Sequence, residues 1–343
     1  MGMWNRGAIT KWVGLLFCKL ANNLVIPSKP SNQPPENKIG ILDYSNPMEK
    51  FCTGHETIGE VVEVGKDVRN HKVGDRVMIE GGVGCGECLP CRTGKNNECQ
   101  GYAKGKFGMA YGISPGLHGG HADYLQVFNA DLGAMNIPDG INDEQAVLMT
   151  DAMATGYYGV KRANVRAGDI VAVIGQGPVG LMAAESAYAA GASKVYTIEP
   201  NEARRLISKG FGAIPLSPEE AIPLIKEQTK GLGVDAVIDA VGISSTMKQA
   251  TKLAKVGGSI SILGIIQKGT TIPLPYAQTK SLAIHPGLAG VSATWTDLIP
   301  LVQYGKIKGE NVFTHHFDLK DGAKAYELFN NRSDGVMKIM MTP

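Results

Sequence analysis

The hydrophobic pattern changes in character along the chain. Between residues 56 and 127, short runs alternate apolar and polar positions and end in glycine or aspartate, as at 59–65 and 72–77. A period of two broken by turn residues predicts short strands in a β-rich domain. From Gly168 onward, continuous apolar runs alternate instead with stretches of helical period. This alternation is typical of an α/β domain with a doubly wound parallel sheet.

The second half of the chain predicts a regular succession of elements. Its first strand is Ile170–Ile174, followed by a glycine loop and a helix over 179–190. We then expect strands at 194–199, 234–240 and 259–264, and helices at 202–209, 218–230 and 246–255. Closer to the C terminus we expect helices at 296–303 and 320–329 and a strand at 336–341. The mixed pattern after residue 286 predicts that this last part returns to the first domain.

Composition and charge describe an ordinary globular chain. Its 343 residues suit about two domains, and 34 Lys and Arg against 32 Asp and Glu leave a formal net charge of +2. Nothing in this balance favours nucleic acid or a membrane surface as a partner. The longest early apolar run, 13–18, is far shorter than the roughly 20 residues of a membrane span, and it makes a poor signal peptide. We therefore predict a cytoplasmic protein with no nucleic-acid or membrane partner.

A glycine loop follows the first strand of the second half. Gly175, Gly177 and Gly180 fit the pattern G-x-G-x-x-G, and Pro178 and Val179 begin the helix that follows. In this context the glycines permit a tight turn, close approach of the backbone to a pyrophosphate, and tight packing of the helix on the strand. The helix N-terminus adds favourable positive potential. The loop therefore predicts a dinucleotide site.

An acidic residue indicates which dinucleotide the loop binds. Glu199 ends the next predicted strand, where its carboxylate can accept hydrogen bonds from the adenosine ribose. It would repel the 2′-phosphate of NADP, although Arg204 and Arg205 follow and could partly compensate. We therefore predict NAD as the cofactor. The predicted binding residues are Gly175, Gly177, Pro178, Val179, Gly180, Glu199 and Arg204.

Four of the six cysteines cluster between positions 85 and 99. Four thiolates complete the tetrahedral coordination of zinc and leave no open position, so the predicted role is structural. We refer to this segment, about 81–102, as the cysteine lobe. A zinc ribbon for nucleic acid is one alternative, but it usually brings two separated knuckles and a basic face; a redox C-x-x-C is another. The predicted ligands are Cys85, Cys88, Cys91 and Cys99.

An imidazole and two carboxylates form a second candidate set. His55 and Glu56 lie side by side in a glycine-bounded turn that leads into a strand. Asp151 stands much later, just before a helix of small residues that enters the second half. Asp151 is a candidate metal ligand at that position.

Together these motifs resemble the zinc-containing alcohol dehydrogenases of the medium-chain dehydrogenase/reductase superfamily, from about residue 51 to the C terminus. The resemblance rests on the 54–65 signature, the cysteine lobe, the 73–77 and 237–242 segments, the surroundings of Asp151 and the glycine loop. It implies a GroES-like β-rich catalytic domain at 1–153 and 286–343, interrupted by a Rossmann domain at 154–285. It also implies a homodimer or homotetramer.

The resemblance further implies a catalytic zinc. His55 would be one ligand, Glu56 an adjacent or exchangeable ligand, and Asp151 the ligand from the second segment. Zinc would act as a Lewis acid on the oxygen of a primary or secondary alcohol, a small-molecule substrate, while hydride passes between that alcohol and NAD. His55, Glu56 and Asp151 are therefore the predicted catalytic residues.

The chain departs from the family at the first zinc ligand. The family carries a Cys roughly twenty residues before the His, whereas residues 31–36 here read Ser-Asn-Gln-Pro-Pro-Glu. Neither Cys18 nor Cys52 has the family spacing, and Cys52 reads as a buried or incidental cysteine. Two alternatives stay open: a non-catalytic NAD(H)-binding protein that has lost the catalytic zinc, and a zinc-free NAD(P)H reductase of the same superfamily.

Overall fold

The chain forms two compact units in a computed structural model that describes residues 15–19, 52–103, 110–114 and 117–342. The first unit holds the described residues up to Thr150, together with Phe317–Ala325 and 341–342. The second holds Asp151–His316 and Tyr326–Met340. Residues 31–36, where the family's first zinc ligand was expected, lie outside the described residues.

An antiparallel sheet forms the centre of the first unit. Its spatial order is β4-β1-β2-β3-β5, and neighbouring strands pair antiparallel. Along β2, Val61 is fully buried while the preceding residue, Glu60, is exposed, as expected for neighbouring residues that face opposite sides of a strand. Val61 packs with Val77, Leu125 and Val127 in the core of this unit. The strands are β1 (Leu15–Lys19), β2 (Thr57–Val64), β3 (Arg76–Ile79), β4 (Tyr124–Phe128) and β5 (Ala134–Asn136).

Helices of the first unit are short. Helix α4 begins with a capping box, in which Asn142 Oδ1 accepts from Gln145 N at 2.9 Å and Gln145 Oε1 accepts from Asn142 N at 3.2 Å. It buries Leu148 and Met149 against β2 and β3 and so leads the chain to Thr150. The helices are α1 (Leu89–Arg92), α2 (Gln100–Ala103), α3 (Ala130–Gly133) and α4 (Asp143–Met149).

A six-stranded sheet forms the centre of the second unit. Its spatial order is β11-β10-β9-β6-β7-β8, and the pairings are parallel. The chain runs outward from β6 in one direction and from β9 in the other, so the strand order reverses between these two strands. Ligands of such sheets bind at the carboxyl ends of the strands beside this reversal. The strands are β6 (Ile170–Ile174), β7 (Lys194–Ile198), β8 (Ile214–Leu216), β9 (Val234–Asp239), β10 (Ala254–Ile262) and β11 (Ala283–Pro286).

Helices α6 to α10 connect these strands, α5 precedes the first of them, and α11, α12 and a two-stranded sheet follow toward the C terminus. Within the described ranges, every helix is too short or too polar to cross a bilayer. The helices are α5 (Ala152–Arg162), α6 (Pro178–Ala189), α7 (Glu202–Gly210), α8 (Pro218–Gln228), α9 (Ser244–Leu253), α10 (Leu274–Thr279), α11 (Ser292–Gln303) and α12 (Gly322–Asn331). The last two strands are β12 (Phe313–Asp318) and β13 (Lys338–Thr342).

The elements predicted after Gly168 are present, with their ends shifted by a few residues. The sequence did not predict β8, β11, β12 or α10, because these elements are short and carry no clear period. The second compact unit includes residues 151–153, 286–316 and 326–340, which the predicted limits assign to the first domain. Helix α11 packs against α5 there and buries Trp295, which is 1% exposed. The domain limits taken from the family pattern stay a prediction.

Candidate active site and metal centres

The cysteine lobe brings its four sulfur atoms together. All four Sγ atoms lie within 4.8 Å of one another. The Cys85 and Cys91 sulfurs are 4.0 Å apart, as are those of Cys88 and Cys99. Zinc with Zn–S bonds of about 2.3 Å places tetrahedral sulfurs about 3.8 Å apart, whereas a disulfide needs about 2.05 Å. The arrangement therefore fits zinc and does not fit disulfides within these pairs.

Backbone amides of the lobe point at the sulfurs. Cys85 N and Gly101 N each donate to Cys99 Sγ at 3.3 Å, and Cys88 N donates to Cys85 Sγ at 3.3 Å. Such N–H···S bonds stabilise thiolate charge and orient the sulfurs, which is the usual role of groups surrounding a metal's ligands. The local turns of the lobe thus supply both the ligands and their support.

The thiols of the lobe differ in acidity. Burial opposes ionisation of Cys88, but hydrogen bonds from the backbone of Cys91 and Gln100 prevail and lower the pKa of Cys88 to about 6. Burial raises the pKa of both Cys91 and Cys99. An ion entering the lobe must therefore displace protons from these two thiols, which makes its binding pH-dependent.

A buried polar pair fastens the lobe to the sheet of the first unit. Glu80 follows β3 and is 2% exposed, and its carboxylate accepts a hydrogen bond from the Asn96 amide, which is 1% exposed. Asn129 Nδ2 also donates to the Gly84 carbonyl at 2.7 Å. Because buried polar groups are costly to leave unpaired, these bonds hold the lobe in one position.

His55, Glu56 and Asp151 also lie together. Each offers one ligand atom, and the three atoms lie within 4.8 Å of one another. All three residues are half-buried. Asp151 directly follows Thr150, the C-terminal cap residue of α4, in the chain. We call these residues the His55–Glu56–Asp151 group.

Asp151 precedes α5 without capping it. Its side chain accepts no hydrogen bond from the first backbone N–H groups of the helix, although an Asp in this position usually stabilises a helix by about 0.5–2 kcal/mol. Asp151 Oδ1 instead accepts from Thr155 Oγ1 at 2.9 Å. The carboxylate thus lies with His55 and Glu56, and Thr155 orients it.

Two glycines place the turn that carries His55. Gly119 N donates to Cys52 O at 2.8 Å, and Gly120 N donates to Gly54 O at 2.9 Å. A Cβ on Gly119 would overlap the Gly54 carbonyl oxygen, and one on Gly120 would overlap the Thr57 side chain. Only glycine allows this close approach. These two residues were not among the predicted site residues, and the available signal was an adjacent glycine pair flanked by histidines.

The neighbouring histidines make local contacts with the same turn. His118 Nδ1 accepts from Cys52 N at 3.3 Å, and His121 Nδ1 is 3.0 Å from Thr53 Oγ1. Neither His118 nor His121 belongs to the His55–Glu56–Asp151 group. They support the turn that positions His55.

The glycine loop forms a cradle at the start of α6. Gly175 N donates to Ile198 O at 2.8 Å, which continues the pairing of β6 with β7. A Cβ on Gly180 would overlap the Gly175 carbonyl oxygen, so this position needs glycine. A Cβ on Gly177 would meet nothing within 4 Å, and no side chain caps α6, which begins at Pro178 and Val179. This space and the uncapped N–H groups fit a pyrophosphate.

Glu199 is held beside this cradle. It is 6% exposed, and its two oxygens accept from Gln176 N at 2.8 Å and Asn201 N at 3.0 Å. A carboxylate has about four acceptor positions, so capacity for ribose hydroxyls remains. Arg205 Nη1 donates to the carbonyls of Glu199 and Pro200 at 2.7 and 2.8 Å.

Arg204 lies in the first turn of α7. Its backbone N donates to Asn201 Oδ1 at 3.2 Å, which caps the helix. The structure therefore gathers the glycine loop and Glu199 at one edge of the sheet, and it places Arg204 one helical turn beyond them.

Comparison with known proteins identifies the family. Residues 36–139 match the alcohol dehydrogenase GroES-like domain, and residues 178–304 match the zinc-binding dehydrogenase domain. A probable zinc-binding alcohol dehydrogenase of Mycobacterium tuberculosis is 36% identical over 296 residues, covering 86% of this chain and 75% of that protein. An alcohol dehydrogenase of Cupriavidus necator is 32% identical over 324 residues, covering 89% of this chain and 88% of that protein.

A solved structure gives the same result. The alcohol dehydrogenase TADH from Thermus sp. ATN1 superposes with a TM-score of 0.83 at 27% identity, covering 99% of this chain and 95% of that chain. The predicted fold class, a GroES-like β-rich domain with a Rossmann domain, is confirmed. The chain belongs to the zinc-containing alcohol dehydrogenase family of the medium-chain dehydrogenase/reductase superfamily.

Proposed function

We propose that this chain is a zinc-dependent alcohol dehydrogenase that transfers hydride between a primary or secondary alcohol and NAD. The observation that supports the proposal is the meeting of His55, Glu56 and Asp151. The cysteine lobe already supplies a complete ligand set for a structural ion, so a second set needs a different purpose. Catalytic zinc sites typically have three protein ligands and a position left open for substrate, and imidazole and carboxylate are both zinc ligands.

The donor set fits a divalent cation. Two carboxylates and a neutral imidazole balance the charge of such an ion, and half-buried ligands keep one side accessible to a small molecule. Zinc, when bound, supplies a Lewis acid that polarises the substrate oxygen. His55 and Asp151 hold the ion, Glu56 lies adjacent, and Thr155 orients the Asp151 carboxylate through its 2.9 Å hydrogen bond.

The cofactor residues orient NAD in this proposal. The N–H groups at the start of α6 bind the pyrophosphate, and Gly177 lets them approach it. Glu199 accepts hydrogen bonds from the ribose hydroxyls and disfavours a 2′-phosphate through its charge. The proposal includes a cytoplasmic homodimer or homotetramer without nucleic-acid or membrane partners.

Turnover of alcohols by the purified chain tests this function. NADH formation is followed with a panel of primary alcohols, secondary alcohols and polyols, before and after treatment with a chelator. We expect turnover by the wild type, and its loss both on chelation and in His55→Ala. His315→Ala is the matched control, because His315 belongs to neither metal set. Its Nε2 lies 3.3 Å from Asp334 Oδ2.

The other outcomes separate the alternatives. Turnover that survives chelation contradicts the proposal and supports the zinc-free reductase. NADH binding without turnover of any alcohol contradicts it and supports the non-catalytic protein.

A further inference from the structure

Cys18 does not replace the cysteine that serves as a zinc ligand elsewhere in the family. The chain has six cysteines, and four of them form the cysteine lobe. Cys18 lies on β1, where its Cα pairs with those of Val61 and Leu125. Val61 is about 13 Å along β2 from Thr57 at the usual rise of about 3.3 Å per residue, and His55 precedes that strand. The backbone of Cys18 is therefore distant from His55.

Cys52 also stands apart from the His55–Glu56–Asp151 group. The ligand atoms that lie within 4.8 Å of one another come from those three residues, and Cys52 is not a member. Its backbone is bound instead to the loop at 118–119, through His118 Nδ1 at 3.3 Å and Gly119 N at 2.8 Å. These two cysteines complete the inventory of thiols.

The residues outside the described ranges offer only oxygen donors as strong metal ligands. Residues 1–14, 20–51, 104–109, 115–116 and 343 contain no cysteine and no histidine. Their only acidic residues are Glu36, Asp43 and Glu49. Any ligand that joins the group from these residues, or from solvent, is therefore neither a thiolate nor an imidazole.

We propose that the His55–Glu56–Asp151 group is a thiolate-free divalent-metal site that accepts Mn²⁺ and Co²⁺ as well as Zn²⁺. Soft thiolate ligands favour zinc, whereas carboxylates and water suit manganese and imidazole suits several first-row ions. Without a thiolate, the group has a weaker preference for Zn²⁺ over Mn²⁺ and Co²⁺, whereas the four thiolates of the cysteine lobe favour Zn²⁺. The inference rests on the proposed function, because the same three residues hold the ion in both.

Cobalt in place of zinc distinguishes the two kinds of ligand. Thiolates bound to Co²⁺ give intense near-ultraviolet charge-transfer absorption, whereas oxygen and imidazole ligands do not. The full chain is produced in cobalt-supplemented medium, and cobalt per chain is measured together with this absorption. We expect about two ions in the wild type and about one in Asp151→Asn, with unchanged absorption per chain. Asp297→Asn is the matched control and retains both ions.

Competition by Mn²⁺ gives a second measurement on the wild type alone. Excess Mn²⁺ should release about one cobalt ion per chain without reducing the charge-transfer absorption. Release of no cobalt, or loss of the absorption with the released ion, would overturn the inference.

The outcomes separate this inference from the proposed function. A second cobalt ion whose charge-transfer absorption disappears in Cys52→Ser would overturn the thiolate-free site and leave the dehydrogenase proposal intact. About one ion per chain in both the wild type and Asp151→Asn would overturn the inference and the proposed metal dependence together.

Discussion

The cysteine lobe and the His55–Glu56–Asp151 group each bring side chains of metal-binding chemistry within 4.8 Å of one another, but they are built in opposite ways. The lobe takes one donor type from one short segment, and its own turns and N–H···S bonds place the sulfurs. The group takes two donor types from segments far apart in the chain. The close approach of Gly119 to Gly54 places the turn that carries His55, and Asp151 follows the capped helix α4 in the chain. A locally built site is insensitive to distant changes, whereas the group should respond to them.

Removing His55 should have the largest effect on activity. If the group holds the catalytic ion, His55→Ala loses about 4 kcal/mol of transition-state stabilisation, so kcat/KM falls about 1000-fold. Thermal unfolding should change little, because the cysteine lobe keeps its ion. Steady-state kinetics measures the loss of activity, and calorimetry measures thermal unfolding. A large fall in the unfolding temperature together with the loss of activity would contradict the separation of the two sites.

Removing a lobe ligand should produce the converse result. Cys91 is 2% exposed, and Cys91→Ser leaves three thiolates that hold zinc poorly. We expect the free energy of unfolding to fall by about 3 kcal/mol, with loss of about one zinc ion per chain. Denaturant unfolding and elemental analysis test this expectation. Unchanged zinc content would show that the lobe holds no ion.

A glycine substitution outside both ligand sets should affect only the group. A Cβ on Gly119 would overlap the Gly54 carbonyl oxygen, so Gly119→Ala must displace the turn that carries His55. We expect destabilisation of about 2 kcal/mol and loss of turnover, with lobe zinc retained. Gly133→Ala is the control, because its Cβ would meet only Phe128 O at 3.8 Å. Equal effects of the two substitutions would contradict this account.

The cofactor site combines both modes of construction, since the glycine loop is local and Glu199 comes from the next strand. Glu199→Gln keeps an oxygen for the Gln176 N–H but removes the charge. We expect the ratio of the KM values for NADP and NAD to fall about tenfold, or about 1.4 kcal/mol. An unchanged ratio would assign cofactor choice to other residues.

The smallest effect concerns a buried carboxylate outside both ligand sets. Burial raises the pKa of Glu185, against hydrogen bonds from Lys308 N at 2.8 Å and Gly309 N at 3.1 Å. A carboxyl group with a raised pKa binds more protons in the folded state than in the unfolded state. Its contribution to the free energy of unfolding therefore falls as pH rises above its pKa in the unfolded chain, about 4.3.

Glu185→Gln removes this titration and keeps an acceptor oxygen. We expect the variant to gain stability relative to the wild type as pH rises toward neutrality, by less than about 1 kcal/mol. Thermal unfolding across pH measures the difference. If Glu185→Gln instead gained stability relative to the wild type as pH falls, the result would contradict the argument from burial.

Local patterns account for what the sequence could predict. The spacing of the lobe cysteines indicated a closed zinc site, and the loop from Gly175 to Gly180 indicated a nucleotide cradle, because each motif carries its geometry within a few residues. The parallel sheet of the second unit was predicted because apolar strand runs alternate there with stretches of helical period. Glu199 was predicted because the end of β7 is also a local feature.

Tertiary contacts account for the rest. The sequence offered His55, Glu56 and Asp151 as candidates, but their assignment to one zinc site came from family resemblance. No local pattern showed that Gly119 and Gly120 pair with the 52–54 turn. The strand β1 was not predicted, since its apolar run lacks alternation and is defined by its pairing with β2 and β4. Such long-range pairing cannot be inferred from propensity alone.

Metal content before and after mild chelation tests the central claim that the chain holds two ions in sites of different chemistry. We predict about two divalent ions per purified chain, falling to about one on dialysis against a chelator, with NADH formation lost and then restored by added zinc. A single ion from the start, or loss of both ions together, would contradict the account.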